Sequence, residues 1–310
     1  MILAVCLNPA LDVTYDVPGL EVGAAQRVRR VTRRAGGKGV NVASVLHAQG
    51  TQVIVTGPIG GSIGRELVTD LDDRGIAHDL LRIGGSTRQT VTVFSDDSAT
   101  VLNEPGPLLT EAEWSAFTDR FADLAQRADL VTISGSLPGG VPAGAYAELI
   151  GIAHRQDTVV ILDCEGEALV EALHAAPDIV KINEHEAAST AEIETDSVEG
   201  VFAAAEELHV QGAAEVVITR GASGVVARTH DGRFVGTTMR TVSGNPTGAG
   251  DAFTAGLAAT TGAASPWRER LRRASAWAAG AVATSVAGEI DATVARDPES
   301  SSIVEEYEAS

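Results

Sequence analysis

Five short segments carry residue types that could do chemistry. The richest is 244–253, GNPTGAGDAF, which runs into an Ala-rich stretch with helical spacing. Gly248, Ala249 and Gly250 place backbone N–H groups at a helix start with almost no side-chain bulk. Unpaired N–H groups and the positive end of the helix dipole together make a site for an anion. Asp251 falls in the first turn. A carboxylate there is a good cap. Beside a phosphate-cradling turn it can also take the proton of an attacking hydroxyl. The short Gly-rich spacing favours the chemical role.

The second segment, 35–43 (AGGKGVNVA), is another Gly turn entering a helix. Gly36, Gly37 and Gly39 let a ligand approach backbone, Lys38 supplies charge, and Asn41 faces back one turn on. Gly39 after the lysine excludes a Walker A loop, and no G-x-G-x-x-G with a following acid marks a dinucleotide site. The third, 181–186 (KINEHE), sets Asn183 and Glu186 on one side of a first helical turn. The pair could cap the helix or hold a hydrated Mg²⁺ near phosphates, and taken alone the spacing favours the cap. The fourth, TRGASG at 219–224, could border a nucleotide or be only a turn. In the fifth, SGSLPGG at 134–140, Ser134 and Ser136 lie at a strand end, where open α/β sheets bind ligands.

The elements that position these segments alternate. Runs rich in Val, Ile and Leu recur at 2–7, 52–57, 129–134, 158–163, 178–182 and 215–220. Helical spacing fills 39–49, 63–74, 111–126, 142–155, 165–175 and 198–211, with short strands near 224–242 and helices at 250–262 and 267–286. Near-continuous apolar strands separated by helices predict a parallel sheet covered on both faces. Two stretches break the scheme, 12–34 and 88–103. TVTVF, SDDS and ATVLN in the second read as a hairpin. Both suit a small β-sheet lid over a cleft. The expected division is an α/β core over 1–11, 35–87 and 104–296, a lid over 12–34 and 88–103, and a loosely held acidic tail over 297–310.

Composition sets limits. The chain has 310 residues, enough for a large core without staples. A formal net charge of −19 argues against a general nucleic-acid binder, so an anionic ligand needs a local positive site. Cys6 and Cys164 are too few for a disulfide framework or a cysteine zinc site. The N-terminal residues lack a basic leader, and no run of about 18 apolar residues spans a membrane. The expectation is a soluble cytoplasmic protein. Lysine occurs only at positions 38 and 181, both inside the segments above.

These segments, in this order, resemble the phosphofructokinase-B branch of the ribokinase-like sugar kinases over residues 2–290. GGKGVNVA resembles the family's N-terminal signature and NPTGAGDAF its C-terminal one. LNPALD at 7–12, TRQ at 87–89, SGSLPGGV at 134–141 and N-x-x-E at 183–186 also fall in place. The resemblance implies a three-layer αβα fold with a mostly parallel central sheet and a β-sheet lid that often forms a dimer contact. It implies ATP-dependent phosphorylation of a sugar hydroxyl with Mg²⁺, and leaves a monovalent cation as an open addition. Asp251 matches the general base, and Gly248, Ala249 and Gly250 the anion hole. Asp12, Gly37 and Asn41 match sugar-binding positions. Thr219, Gly221 and Gly224 match the nucleotide loop, Asn183 and Glu186 the Mg²⁺–phosphate motif, and Lys181 precedes that motif as in the family.

NEPGP at 103–107, with Lys in GGKG, resembles the 1-phosphofructokinase and tagatose-6-phosphate kinase group. The substrate there already carries a phosphate, and Lys38 and Arg88, with Ser136 nearby and Arg27 in reserve, are the candidates to hold it. The expected reaction is fructose 1-phosphate to fructose 1,6-bisphosphate. Alternatives are tagatose-6-phosphate or 6-phosphofructokinase activity, then an unphosphorylated sugar, then a sensor without turnover. The chain departs from the family at Asp163-Cys164-Glu165-Gly166, where Asp-Thr-Ser-Gly is common, at Ile182 and at Thr247. Glu165 could disfavour one sugar phosphate or simply face solvent.

Overall fold

In a computed structural model the described residues are 1–95, 98–238, 242, 244, 246–261, 265–284, 286–296 and 302–308. Fourteen strands are formed among them. They are β1 (Ile2–Val5), β2 (Ala10–Asp16), β3 (Arg30–Gly36), β4 (Val53–Gly60), β5 (His78–Ile83), β6 (Arg88–Ser95) and β7 (Ser98–Asn103). The second half adds β8 (Leu130–Ser134), β9 (Val159–Asp163), β10 (Ile179–Asn183), β11 (Glu215–Thr219), β12 (Val225–Thr229), β13 (Gly232–Thr238) and β14 (Ser302–Glu306).

Ten strands form one sheet in the order β14-β13-β12-β11-β10-β9-β8-β1-β4-β5. From β5 to β11 every neighbouring pair is parallel, and β12 to β14 close one edge antiparallel. β1, near the middle, is buried throughout, and its side chains alternate between two cores. Leu3 and Val5 pack with Phe117, Phe121 and Leu149 on one face. Ile2 and Ala4 pack with Val40, Leu46 and Leu257 on the other. The uninterrupted apolar strands thus reflect helices on both faces.

Local chemistry fixes helix starts. Thr110 Oγ accepts from Glu113 N at 3.2 Å while Glu113 accepts from Thr110 N at 2.8 Å, a reciprocal capping box that opens the helix Glu111–Ala125.

The stretches that broke the alternation make the second sheet, in the order β3-β2-β6-β7. β6 and β7 form the expected hairpin, whose tip residues Asp96 and Asp97 lie outside the described set. β2 and β6 pair in parallel, so this sheet is mixed. It begins at Ala10 and includes Gly36, two residues beyond the expected boundary at each end.

The tail needs a larger correction. Ser302–Glu306, expected to be loose, pairs with β13. Ser302 and Val304 are buried while Ile303 and Glu305 lie on the solvent side of the strand and Glu306 is exposed at its end. Tyr307 then stacks on Phe202 with ring centroids 4.6 Å apart. Residues 297–301 lie outside the described set. Among the described residues no helix is long and apolar enough to cross a membrane.

Candidate active site

The parallel strands all point the same way, so their carboxyl ends share one edge, and the singled-out segments collect there. Asp163 ends β9, Asn183 ends β10, Thr219 ends β11, and Ser136 lies two residues beyond β8. Two helices from the opposite core reach this edge, Lys38–Ala48 and Ala249–Thr260.

The second of these begins at Gly248, whose φ of 85° is the left-handed conformation that glycine tolerates. Ala249 N donates to Pro246 O at 3.1 Å and Ala252 N to Gly248 O at 2.9 Å, and the N–H groups of Gly250 and Asp251 lie between them. A Cβ on Gly250 would stand 3.0 Å from the Lys181 ammonium, so this helix start faces a cation.

Asp251, in the first turn, is 7% exposed. It accepts from Asn41 Nδ2 at 2.8 Å. Burial, reinforced by the nearby Asp163 charge, pushes its carboxyl up to about 7, against the Asn41 hydrogen bond and the charges of Lys38 and Lys181. A base poised near neutrality is the property expected of a proton acceptor.

Asp163 is the hub below it and is 1% exposed. One oxygen accepts from Lys38 Nζ at 3.0 Å, the other from Lys181 Nζ and Thr254 Oγ, each at 2.9 Å. Burial works to raise its pKa, but the two ammonium groups outweigh it and hold the carboxyl down at about 2. Lys38 also lies 3.8 Å from Glu186 Oε1. The only two lysines therefore flank a single carboxylate.

Asn183 and Glu186 do cap their helix, in both directions: Asn183 Oδ1 accepts from Glu186 N at 2.9 Å and Glu186 Oε2 from Asn183 N at 2.8 Å. Burial raises the Glu186 carboxyl, and its other oxygen turns to Lys38. Cap and site coexist in one residue. Thr219 pairs with Asn183 across β10 and β11. Gly221, in the turn that follows, has no atom within 4 Å of where its Cβ would be, so the surface there is open. Gly224 closes the same turn at φ 96°.

A cavity of about 650 Å³ adjoins this cluster, and Asn8, Lys38, Arg88, Ser136 and Glu165 are among its lining. Arg88 Nε donates to Asn8 O at 3.1 Å, and Asn8 Nδ2 donates to Ser136 Oγ at 3.2 Å. Asp12 stands beside Arg88 on the smaller sheet. Burial raises its carboxyl to about 6 despite the Thr90 hydrogen bond and the Arg88 charge. It leaves no room at Gly36, where a Cβ would fall 2.0 Å from Asp12 Oδ2. Gly37 caps the helix Lys38–Ala48 against the Cys6 thiol.

The structure thus gathers Asp251, Asn41, Lys38, Lys181 and Glu186 into one charged cluster, and Arg88, Asn8 and Ser136 into the adjoining wall. Asn41 is turned to Asp251. Arg27 lies apart, lining a separate hollow with Pro18, Leu20 and Glu21. Asp163, Thr254 and Asn8 were not singled out from sequence. Asp163 had one signal, its position at the end of an apolar strand. Thr254 had another, a place three residues after Asp251 on the same helix.

Comparison with known proteins gives the family and the fold. The model of the pfkB family carbohydrate kinases matches residues 2–293. Phosphofructokinase-2 from Escherichia coli in complex with potassium is 25% identical, with a TM-score of 0.90 over 96% of this chain and 97% of that chain. A Thermotoga maritima structure named as a possible 1-phosphofructokinase is 24% identical, with a TM-score of 0.89 over 99% and 100% of the chains. Arabidopsis thaliana ribokinase with ribose and ATP is 19% identical, with a TM-score of 0.77 over 96% and 98%. With this three-layer ribokinase-like fold, and with a family match across nearly its whole length, the chain belongs to the pfkB family of ATP-dependent carbohydrate kinases.

Proposed function

We propose that the chain phosphorylates a hydroxyl of a ketohexose phosphate, with fructose 1-phosphate as substrate and fructose 1,6-bisphosphate as product. The observation that carries the reading is Asp251: a buried carboxylate near pKa 7, held by Asn41, at a helix start that faces Lys181. Asp251 takes the proton of the attacking hydroxyl on the oxygen that Asn41 does not occupy. The N–H groups of Gly250 and Asp251, with Lys181, offset the charge of the transferred phosphoryl group. Lys38, already bound to Asp163, adds a second cation beside that group.

The residues present suit the cofactors. When bound, ATP supplies the phosphoryl group and Mg²⁺ neutralises its oxygens. The turn from Thr219 to Gly224, open at Gly221, suits the nucleoside, and Lys181 and the Gly248–Gly250 backbone suit its phosphates. Glu186 Oε1 is the oxygen free of the capping box and suits a hydrated Mg²⁺, whereas Asn183 Oδ1 already accepts from Glu186 N. The phosphate already on the sugar goes to Arg88, since Lys38 is committed to Asp163 and Glu186.

Fructose 6-phosphate is the second reading, favoured by the likeness to phosphofructokinase-2. Coupled ADP release with Mg·ATP on fructose 1-phosphate, tagatose 6-phosphate, fructose 6-phosphate and free fructose decides between them. The expected result is a kcat/KM at least about tenfold higher for fructose 1-phosphate. Preference for free fructose overturns the phosphate site and leaves Asp251 in place. The reading extends to assembly: the smaller sheet serves as a lid and as the contact of a homodimer.

A further inference from the structure

Asn8 has no part in the reading above, yet it is the joint of the cavity wall. It is 8% exposed and lines the cavity with Arg88 and Ser136. Its carbonyl oxygen accepts from Arg88 Nε at 3.1 Å, and its Nδ2 donates to Ser136 Oγ at 3.2 Å. The guanidinium and the hydroxyl are therefore each one hydrogen bond from the same residue. The other arm of the amide, Oδ1, has no donor among the described residues. It lies against Gly106, where a Cβ would stand 2.3 Å from it. Gly106 has no left-handed φ, so the contact with Asn8, and not the turn, calls for glycine there. An amide buried with one arm unpaired is costly, and packing alone does not explain it.

The direction of the Ser136 bond sets its chemistry. A serine hydroxyl has one proton to give and two lone pairs to receive with. An amide N–H can only donate, so Asn8 Nδ2 occupies a lone pair and leaves the proton for an acceptor. Ser136 is exposed, and that acceptor can come from a ligand. The carboxylates of Glu104 and Glu165 also line the cavity, and Glu104 Oε2 accepts from Gln89 N at 2.8 Å. An anionic group needs one place there where it meets hydrogen rather than oxygen. Arg88 and a donating Ser136, both held by Asn8, make that place.

We propose that Asn8 is a positioning residue for the sugar phosphate: it holds Arg88 by its carbonyl and turns the hydroxyl proton of Ser136 toward an oxygen of the ligand. The inference rests on the sugar-phosphate reading. It deepens that reading by naming the residue that aims both donors, and the glycine that leaves room for it.

The test is steady-state kinetics of the full chain, Asn8→Ala, Ser136→Ala and the double variant. The substrates are Mg·ATP and whichever of fructose 1-phosphate and fructose 6-phosphate the parent prefers. Each single variant should raise KM for the sugar phosphate about tenfold, the scale of one hydrogen bond, with kcat and KM for ATP within about twofold. The double variant should resemble either single one, because Asn8→Ala keeps the carbonyl and acts through Ser136. Single effects that multiply to about a hundredfold, or an equal rise in KM for ATP, overturn the proposal. Gly106→Ala reads the same role with Asn8 still in the chain, and decides the matter if Asn8→Ala does not fold. Its Cβ displaces the amide, so KM for the sugar phosphate should rise by a similar factor, and an unchanged KM overturns the proposal. If the parent chain itself uses neither sugar phosphate, the sugar-phosphate reading fails, and that is visible without any variant.

Discussion

Asp251 is surrounded by more charge than a helix cap requires. Burial, reinforced by its neighbour Asp163, pushes its proton affinity up, and the Asn41 hydrogen bond, Lys38 and Lys181 moderate the effect. The balance leaves a base that titrates near neutrality, and this gives a signed prediction. The proton acceptor must be ionised, so kcat/KM should fall about tenfold per unit as pH drops below about 7 and level off above it. Asp251→Asn keeps an oxygen for Asn41 Nδ2, so it should fold normally while turnover falls by about 10²–10⁴. An active, well-folded variant, or a parent profile flat through pH 6–8, would remove Asp251 from the role. For stability the two aspartates work in opposite directions. Asp163, held down at about 2, contributes stability above its ordinary pKa that is lost as pH falls through about 2. Asp251, raised to about 7, costs stability as pH rises toward that value. At this scale the sequence was informative where the site is local. GAGD is one contiguous turn, and Asp251 could be singled out from it as a candidate. Asp163 could not, because its partners Lys38, Lys181 and Thr254 come from three distant segments. Only the sheet's shared edge brings them together.

Elements were legible wherever a period was long enough to count. The apolar runs became β1, β4, β8, β9, β10 and β11, and the two irregular stretches became one small sheet. The parallel pairing of β2 with β6 was not legible, since it joins segments about 75 residues apart through the core rather than through a turn. That sheet also carries its own prediction. Val31 is 49% exposed, Val101 43% and Leu102 58%, apolar side chains that a second copy could cover. If the sheet is a dimer contact, light scattering at working concentration should give twice the chain mass, and Leu102→Asp should shift it toward the monomer. A parent chain that scatters as a monomer contradicts the lid contact.

For the whole molecule, sheet order decides what the termini do. β14 covers the edge of β13, and Val304, 1% exposed, packs over Gly236. Burying a valine is worth about 1.5–3 kcal/mol, and an uncovered edge invites pairing between copies. A chain ending at residue 301 should therefore melt several degrees lower, on the order of 5 °C, and aggregate on heating, as thermal unfolding with turbidity would show. An unaltered midpoint would mean that β14 adds nothing to the stability of the sheet. The alternation that makes this strand was masked in sequence by its glutamates.

The central place of β1 has a further consequence, in the order of synthesis. Its sheet partners are β4, about fifty residues later, and β8, which begins at Leu130. A ribosome adding about 5–20 residues per second needs on the order of 10 s to make the second partner after the first strand. Until β4 is made Ile2, Leu3, Ala4 and Val5 have two open edges, and from then until β8 they have one. The nascent chain must shield a fully buried strand before the strand's pocket exists, and the step that ends the wait is the emergence of β8.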